Sequence, residues 1–224
     1  MNTHAIRTEL SYYAKRILQD RLATGAGGNI SARQENSMLI SPSGFSLGEI
    51  APEQFVEVDI PSGAISSNSL RPSSEVLMHL ACYRRRPDVR AVIHTHAPHT
   101  IALVSSGHTL KPMFADLIIY LGQRIPHLDY ITVTTPALAA AVEAEISGSN
   151  CIILRNHGAI TVGENLKQAY WRGCSVEEGA RIQLLATLVG KPCFLSAEEA
   201  DRLEALGSEK YRRELLARMK DFCP

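Results

Sequence analysis

Cysteine is scarce in this chain and never paired. Its five cysteines, Cys82, Cys151, Cys174, Cys193 and Cys223, are odd in number and form no CxxC or CxxxC pair. That pattern excludes a cysteine–zinc site and a disulfide framework, and it predicts reduced thiols in a cytoplasm. Net charge is missing too: 23 Lys and Arg balance 23 Asp and Glu. No global field therefore draws the chain to nucleic acid or to an anionic membrane. No apolar run approaches the ~18 residues of a membrane span. The opening Met1-Asn2-Thr3-His4 leads into an amphipathic pattern, not the apolar core of a signal peptide. What remains is ordinary for a globular enzyme: 224 residues, 45% hydrophobic and 21% charged, ample to bury a core. No repeat, low-complexity tract or long linker divides them, so a single domain over residues 1–224 is expected.

Periodicity predicts the elements. Ile6, Leu10, Ala14, Ile17, Leu18 and Leu22 have helical spacing, so residues 3–22 should open the fold as a helix. Strands are expected at 30–33, 38–41, 55–60, 91–96, 151–154 and 159–162. Ser73 or Ser74 should cap a helix bearing Val76, Leu77, Leu80 and Ala81. Further helices are expected at 97–105, 136–146 and 165–189. Ser196 with Glu199 makes a capping box for a last one. Residues 107–136 follow no clear period; their apolar pieces are 117–121 and 130–133. Hairpin-like strands interleaved with helices predict a mixed α/β domain whose largely antiparallel sheet is covered by helices.

The chemistry concentrates in one strand and four turns. In Ala91-Val92-Ile93-His94-Thr95-His96 a period of two puts both imidazoles on one face, within reach of one small ion. Hydrogen-bonded structural histidines are the alternative for such a pair. Asn156-His157-Gly158 places a third imidazole between two strands, where glycine permits a sharp bend. Gly27-Gly28-Asn29 and Ser41-Pro42-Ser43-Gly44 offer backbone N–H groups, hydroxyls and an amide to an anion. Arg71-Pro72-Ser73-Ser74-Glu75 opens a helix, where unpaired N–H groups and the dipole favour a phosphate, and it carries a carboxylate. Three imidazoles from two strand ends leave a coordination position open. With anion seats and a base alongside, the set favours Lewis-acid activation of a carbonyl and proton transfer on a phosphorylated substrate.

These five motifs, in this order and spacing, resemble the class II sugar-phosphate aldolases, and the likeness runs over about residues 5–215. The nearest type is L-fuculose-phosphate aldolase, in the superfamily that includes L-ribulose-5-phosphate 4-epimerase. The resemblance implies a three-layer α/β/α domain with a central, mostly antiparallel sheet. It also implies a homotetramer with active sites between subunits. A zinc ion, or manganese, cobalt or iron, would sit on His94, His96 and His157. Glu75 would complete the coordination and serve as acid and base once substrate displaces it. Gly28, Asn29, Ser43, Gly44, Ser73 and Ser74 would hold the phosphate. The implied reaction splits a ketose 1-phosphate reversibly into dihydroxyacetone phosphate and an aldehyde through a metal-stabilised enediolate.

One segment departs from the family pattern. Where fuculose-phosphate aldolase supplies a tyrosine from the neighbouring subunit, this chain has Asp116, with Tyr120 one turn further. An aspartate there resembles the epimerase, so Asp116 is a second candidate acid or base. Epimerisation, dehydration or decarboxylation of a related substrate stays open as an alternative. Tyr211 is a candidate for a C-terminal tyrosine that closes over the site, and Arg155 for an anion partner. A non-catalytic scaffold is the remaining alternative: the adducin head domain resembles this superfamily but lacks the metal histidines.

Overall fold

The structure, a computed structural model, describes residues 3–66 and 70–218. Met1, Asn2 and Cys223 lie outside the described residues. Its first helix, α1 (Thr3–Gln19), buries Ile6, Leu10, Ala14 and Ile17, the stripe that the helical spacing predicts. It stops at Gln19 and not at Leu22. Arg21 turns to φ 57° and the Leu22 N–H donates to the Ile17 carbonyl at 2.9 Å, a left-handed closure of the last turn.

Seven strands follow: β1 (Asn29–Gln34), β2 (Ser37–Ile40), β3 (Val56–Asp59), β4 (Ala91–Thr95), β5 (His127–Leu128), β6 (Cys151–Leu154) and β7 (Gly158–Gly163). They form one sheet in the order β3-β2-β1-β4-β7-β6-β5. Every neighbouring pair is antiparallel except β5–β6. The remaining helices are α2 (Val76–Arg85), α3 (Pro98–Ser105), α4 (Ala115–Leu121), α5 (Pro136–Ile146), α6 (Leu166–Val189), α7 (Ala197–Ala205) and α8 (Gly207–Arg218).

Strand alternation sorts the core into two layers around the sheet. On one face α1 and α6 pack on Ile30, Ala32, Ala91 and Ile93, while α3, α4 and α6 cover Cys151, Ile153 and Ala159. On the other face α2 and α5 cover Met38, Val58, Val92, Ile152, Ile160 and Val162. The result is the expected three-layer α/β/α arrangement, with β4 in the middle of the sheet.

Two local expectations are corrected, and the stretch without a clear period is resolved. Glu75, not a serine, occupies the N-cap position of α2, and no side chain caps that helix. Of the apolar pieces within 107–136, residues 117–121 lie in α4 and residues 130–133 form no helix or strand; the short edge strand β5 lies just before them, parallel to β6. Ser196 does cap α7, accepting from the Glu199 N–H at 3.2 Å, but α7 is followed by α8. Among the described residues no helix is long and apolar enough to cross a membrane. Cys82, Cys151, Cys174 and Cys193 are free thiols, and burial pushes the first three up to about 12. Those three pack against the core, while Cys193 is exposed.

Candidate metal centre and active site

Strand β4 carries the centre of the site. It pairs with β1 and β7, so that Asn29 stands opposite His94, and His94 opposite Ile160. The strand ends at Thr95, yet His96 continues its alternation, and the Nε2 atoms of His94 and His96 lie 2.8 Å apart. His157 comes from the tight turn between β6 and β7, where Asn156 adopts φ 55°. Its Nε2 lies 3.1 Å from that of His94. Gly158 makes this approach possible, because a Cβ there would stand 2.0 Å from the Thr95 carbonyl oxygen. Gly27 does the same for His96: a Cβ would meet its Nδ1 at 2.8 Å. Glu75 enters from the start of α2. Its Oε2 lies 3.2 Å from His94 Nε2 and its Oε1 3.2 Å from His157 Nε2. One donor atom from each of the four residues falls within 4.8 Å of the others.

The electrostatics suit a cation. His94 Nδ1 lies 3.0 Å from the Ala159 carbonyl, which can only accept. In the neutral ring, the form that ligates a metal, the proton therefore sits on Nδ1 and the Nε2 lone pair points into the cluster. Burial, reinforced by His94 and His157, lowers His96 to about 4, which keeps that ring neutral and able to ligate. Burial alone would push the Glu75 carboxyl up. The imidazoles of His94 and His157 outweigh it and hold the group well below the usual carboxylate range. Glu75 Oε1 is buried without a hydrogen-bond partner; its approach to His157 Nε2 has the distance but not the alignment. Inward lone pairs and an orphaned carboxylate oxygen are a donor set that a divalent ion completes. Imidazole and carboxylate together fit zinc, manganese, cobalt or iron.

Comparison with known proteins agrees. The family described as "Class II Aldolase and Adducin N-terminal domain" matches residues 8–184. The chain belongs to this family. It is 34% identical over 199 residues to 5-deoxy-D-ribulose 1-phosphate aldolase of Bacillus thuringiensis serovar kurstaki, covering 88% of this chain and 92% of that one. It is 36% identical over 180 residues to L-fuculose phosphate aldolase of Haemophilus influenzae, covering 80% and 82%. A solved structure of L-fuculose 1-phosphate aldolase superposes with a TM-score of 0.84 at 31% identity, covering 92% of this chain and 96% of that one. The family's description spans enzymes and adducin. The intact donor cluster and the aldolase relatives make this chain an enzyme of the aldehyde-lyase class.

Within the class II aldolase fold, the remaining turns gather at the same end of the sheet. Backbone bonds zip two of them together: the Ser43 N–H donates to the Arg71 carbonyl and the Ser73 N–H to the Ser41 carbonyl, both at 2.9 Å. Ser43, Gly44 and Ser74 are exposed on this rim, and Gly44 has φ 83°. Ser73 is buried, and its hydroxyl accepts from the Glu75 N–H at 3.3 Å. Gly28, at φ 73°, passes so close to the His94 carbonyl that a Cβ would approach it to 2.9 Å. Asn29 donates from Nδ2 to Glu75 Oε2 at 2.9 Å.

Other candidates have surroundings of their own. Asp116 is exposed in the first turn of α4 and faces Arg212 at 3.9 Å. Arg212 also donates to the Tyr120 hydroxyl at 3.0 Å, while Tyr211 is exposed on α8. Arg155 pairs with Asp129 at 3.3 Å. Sequence reasoning missed His79, which lies one turn after Glu75 on the buried face of α2 and bonds to Asn29. The i,i+4 spacing from Glu75 was the available signal.

Proposed function

We propose that this aldolase cleaves a ketose 1-phosphate reversibly to dihydroxyacetone phosphate and an aldehyde. The observation that carries the reading is the convergence of His94, His96, His157 and Glu75 within 4.8 Å. The bonded turns that bear Ser43, Gly44, Ser73 and Ser74 support it. The substrates named for its relatives, L-fuculose phosphate and 5-deoxy-D-ribulose 1-phosphate, are of this class.

His94, His96 and His157 would hold a divalent ion, zinc being the first choice, with Glu75 as fourth ligand. Bound there, the ion supplies a Lewis acid for the ketose carbonyl and the adjacent hydroxyl. The chain's own groups do the rest. N–H groups at Gly28 and Gly44 and hydroxyls of Ser43, Ser73 and Ser74 receive the phosphate dianion. Asn29 keeps a second Nδ2 hydrogen, which is free to donate to a substrate oxygen. Glu75 begins as a carboxylate. Released from the imidazoles by substrate, it keeps only the burial that favours its neutral form. It can then carry a proton to and from the carbon where the bond breaks. Asp116, exposed on α4, is assigned the aldehyde side of the reaction in a neighbouring copy's site. That assignment requires an oligomer; the homotetramer proposed for it would scatter light as four chains of 24.5 kDa. The free thiols are compatible with a cytoplasmic enzyme.

The test is a coupled assay of the zinc-loaded protein. L-fuculose, L-ribulose and 5-deoxy-D-ribulose 1-phosphates are offered, and dihydroxyacetone phosphate is followed with and without a chelator. Chelator-sensitive release is expected. Turnover without that product would replace cleavage by epimerisation, dehydration or decarboxylation at the same cluster.

A further inference from the structure

Behind Glu75 runs a chain of hydrogen bonds with one allowed direction. The ionised carboxylate can only accept, so the Asn29 group 2.9 Å from its Oε2 is the Nδ2 donor. Asn29 Oδ1 must then face His79 Nε2, 2.5 Å away, and that nitrogen must carry the ring proton. Burial and the nearby His94 lower His79 to about 3, so its other nitrogen, Nδ1, is a bare acceptor. It takes the hydroxyl hydrogen of Ser31 at 2.7 Å. Ser31 Oγ in turn lies 2.8 Å from the Tyr83 hydroxyl, which donates to it. Donation therefore runs Tyr83, Ser31, His79, Asn29, Glu75. Tyr83, Ser31 and His79 are at most 1% exposed, and Asn29 is 4% exposed. Water cannot readily substitute for any member.

We propose that His79 is a positioning residue: it anchors the Asn29 amide that in turn holds the Glu75 carboxylate among the imidazoles. The Asn29 amide is tied at both ends, by Glu75 at Nδ2 and by His79 at Oδ1. Without a donor at His79, Oδ1 is left buried and unpartnered, and only the bond to Glu75 still holds the amide. The amide would then shift to satisfy Oδ1, and its grip on the carboxylate would loosen. Partners behind a ligand commonly tune affinity about 10–100-fold. This inference rests on the reading of Glu75 and the three histidines as metal ligands.

Zinc affinity, measured by competition with a chromophoric chelator, tests it on wild type, His79→Leu, His79→Gln and Ser31→Ala, with thermal midpoints as a fold control. His79→Leu should bind zinc about 10–100-fold more weakly while still folded. His79→Gln, which can donate to Asn29 again, should recover part of the loss, and Ser31→Ala should lose less. Unchanged zinc affinity in folded His79→Leu overturns the proposal. Should that variant not fold, the wild-type ring decides: long-range ¹⁵N spectra must show His79 neutral with the proton on Nε2, and a proton on Nδ1 overturns the relay. A wild-type chain that holds no zinc refutes the metal reading, and the tautomer then still judges the relay.

Discussion

Glu75 stands between two opposed influences, a pocket that favours its neutral form and two imidazoles that favour its charge. The part in proton transfer proposed for it can be separated from its part in shape. Glu75→Gln keeps the outline and the contact to Asn29 but removes the transferable proton. We expect the metal to be retained and kcat to fall about 10²–10⁴-fold, the usual span for a positioned acid or base. Steady-state kinetics with metal analysis of the same sample checks this; full activity would refute the acid–base role. Ser73 differs, because the phosphate contact proposed for it would be nearly the same in ground and transition states. Ser73→Ala should raise KM roughly tenfold with kcat little changed. An equal fall in kcat would mean instead that its bond to the Glu75 N–H matters more.

The β6–β7 turn is the element on which the site depends most. A Cβ at position 158 would overlap the Thr95 carbonyl at 2.0 Å, and no flexible side-chain end is available to give way. Gly158→Ala should destabilise the fold by about 3 kcal/mol or more and weaken metal retention together with it; urea unfolding and a zinc titration read the two. Local pattern was enough to anticipate this turn, since the histidine and glycine stand between two apolar runs. It was also enough for β4, for His94 within it and for His96 just beyond its end. The start of α2 was not legible in the same way. Ser73 has the chemistry of a cap, but its backbone is held by Ser41, a partner 32 positions away in the chain, so the helix begins later at Val76. His79 was hidden for a related reason. In an apolar stretch it reads as one polar residue on a buried face, and only the β1 pairing that puts Asn29 and Ser31 beside it gives it a role. Strand β5 has two residues and no period to detect. Helix α8 lies against α7 with few buried residues, so hydrophobic spacing carried little signal there.

At the level of the whole molecule, acid should act in one direction. His79 and His96 are lowered to about 3 and about 4, against about 6.5 in an unfolded chain. As pH falls below about 6.5 the unfolded state takes up these protons first, and folding loses the stability that the neutral rings contribute. Glu75 is lowered as well, so its contribution is present above about 4.5 and is lost below it. The thermal midpoint of chelator-treated protein should drop between pH 7.5 and pH 5.5 and drop further towards pH 4. A midpoint that rose or held level would contradict these shifts. The cluster also has a use beyond the reaction. His94 stands on β4, its ring is oriented by Ala159 of β7, and His157 hangs from the turn that joins β7 to β6. A slip of one residue between the central strands would send an imidazole to the opposite face of the sheet. If the cluster takes zinc as proposed, its capture would be a gauge of strand alignment: during refolding it should appear only once β4, β6 and β7 have locked in register, before any substrate is supplied.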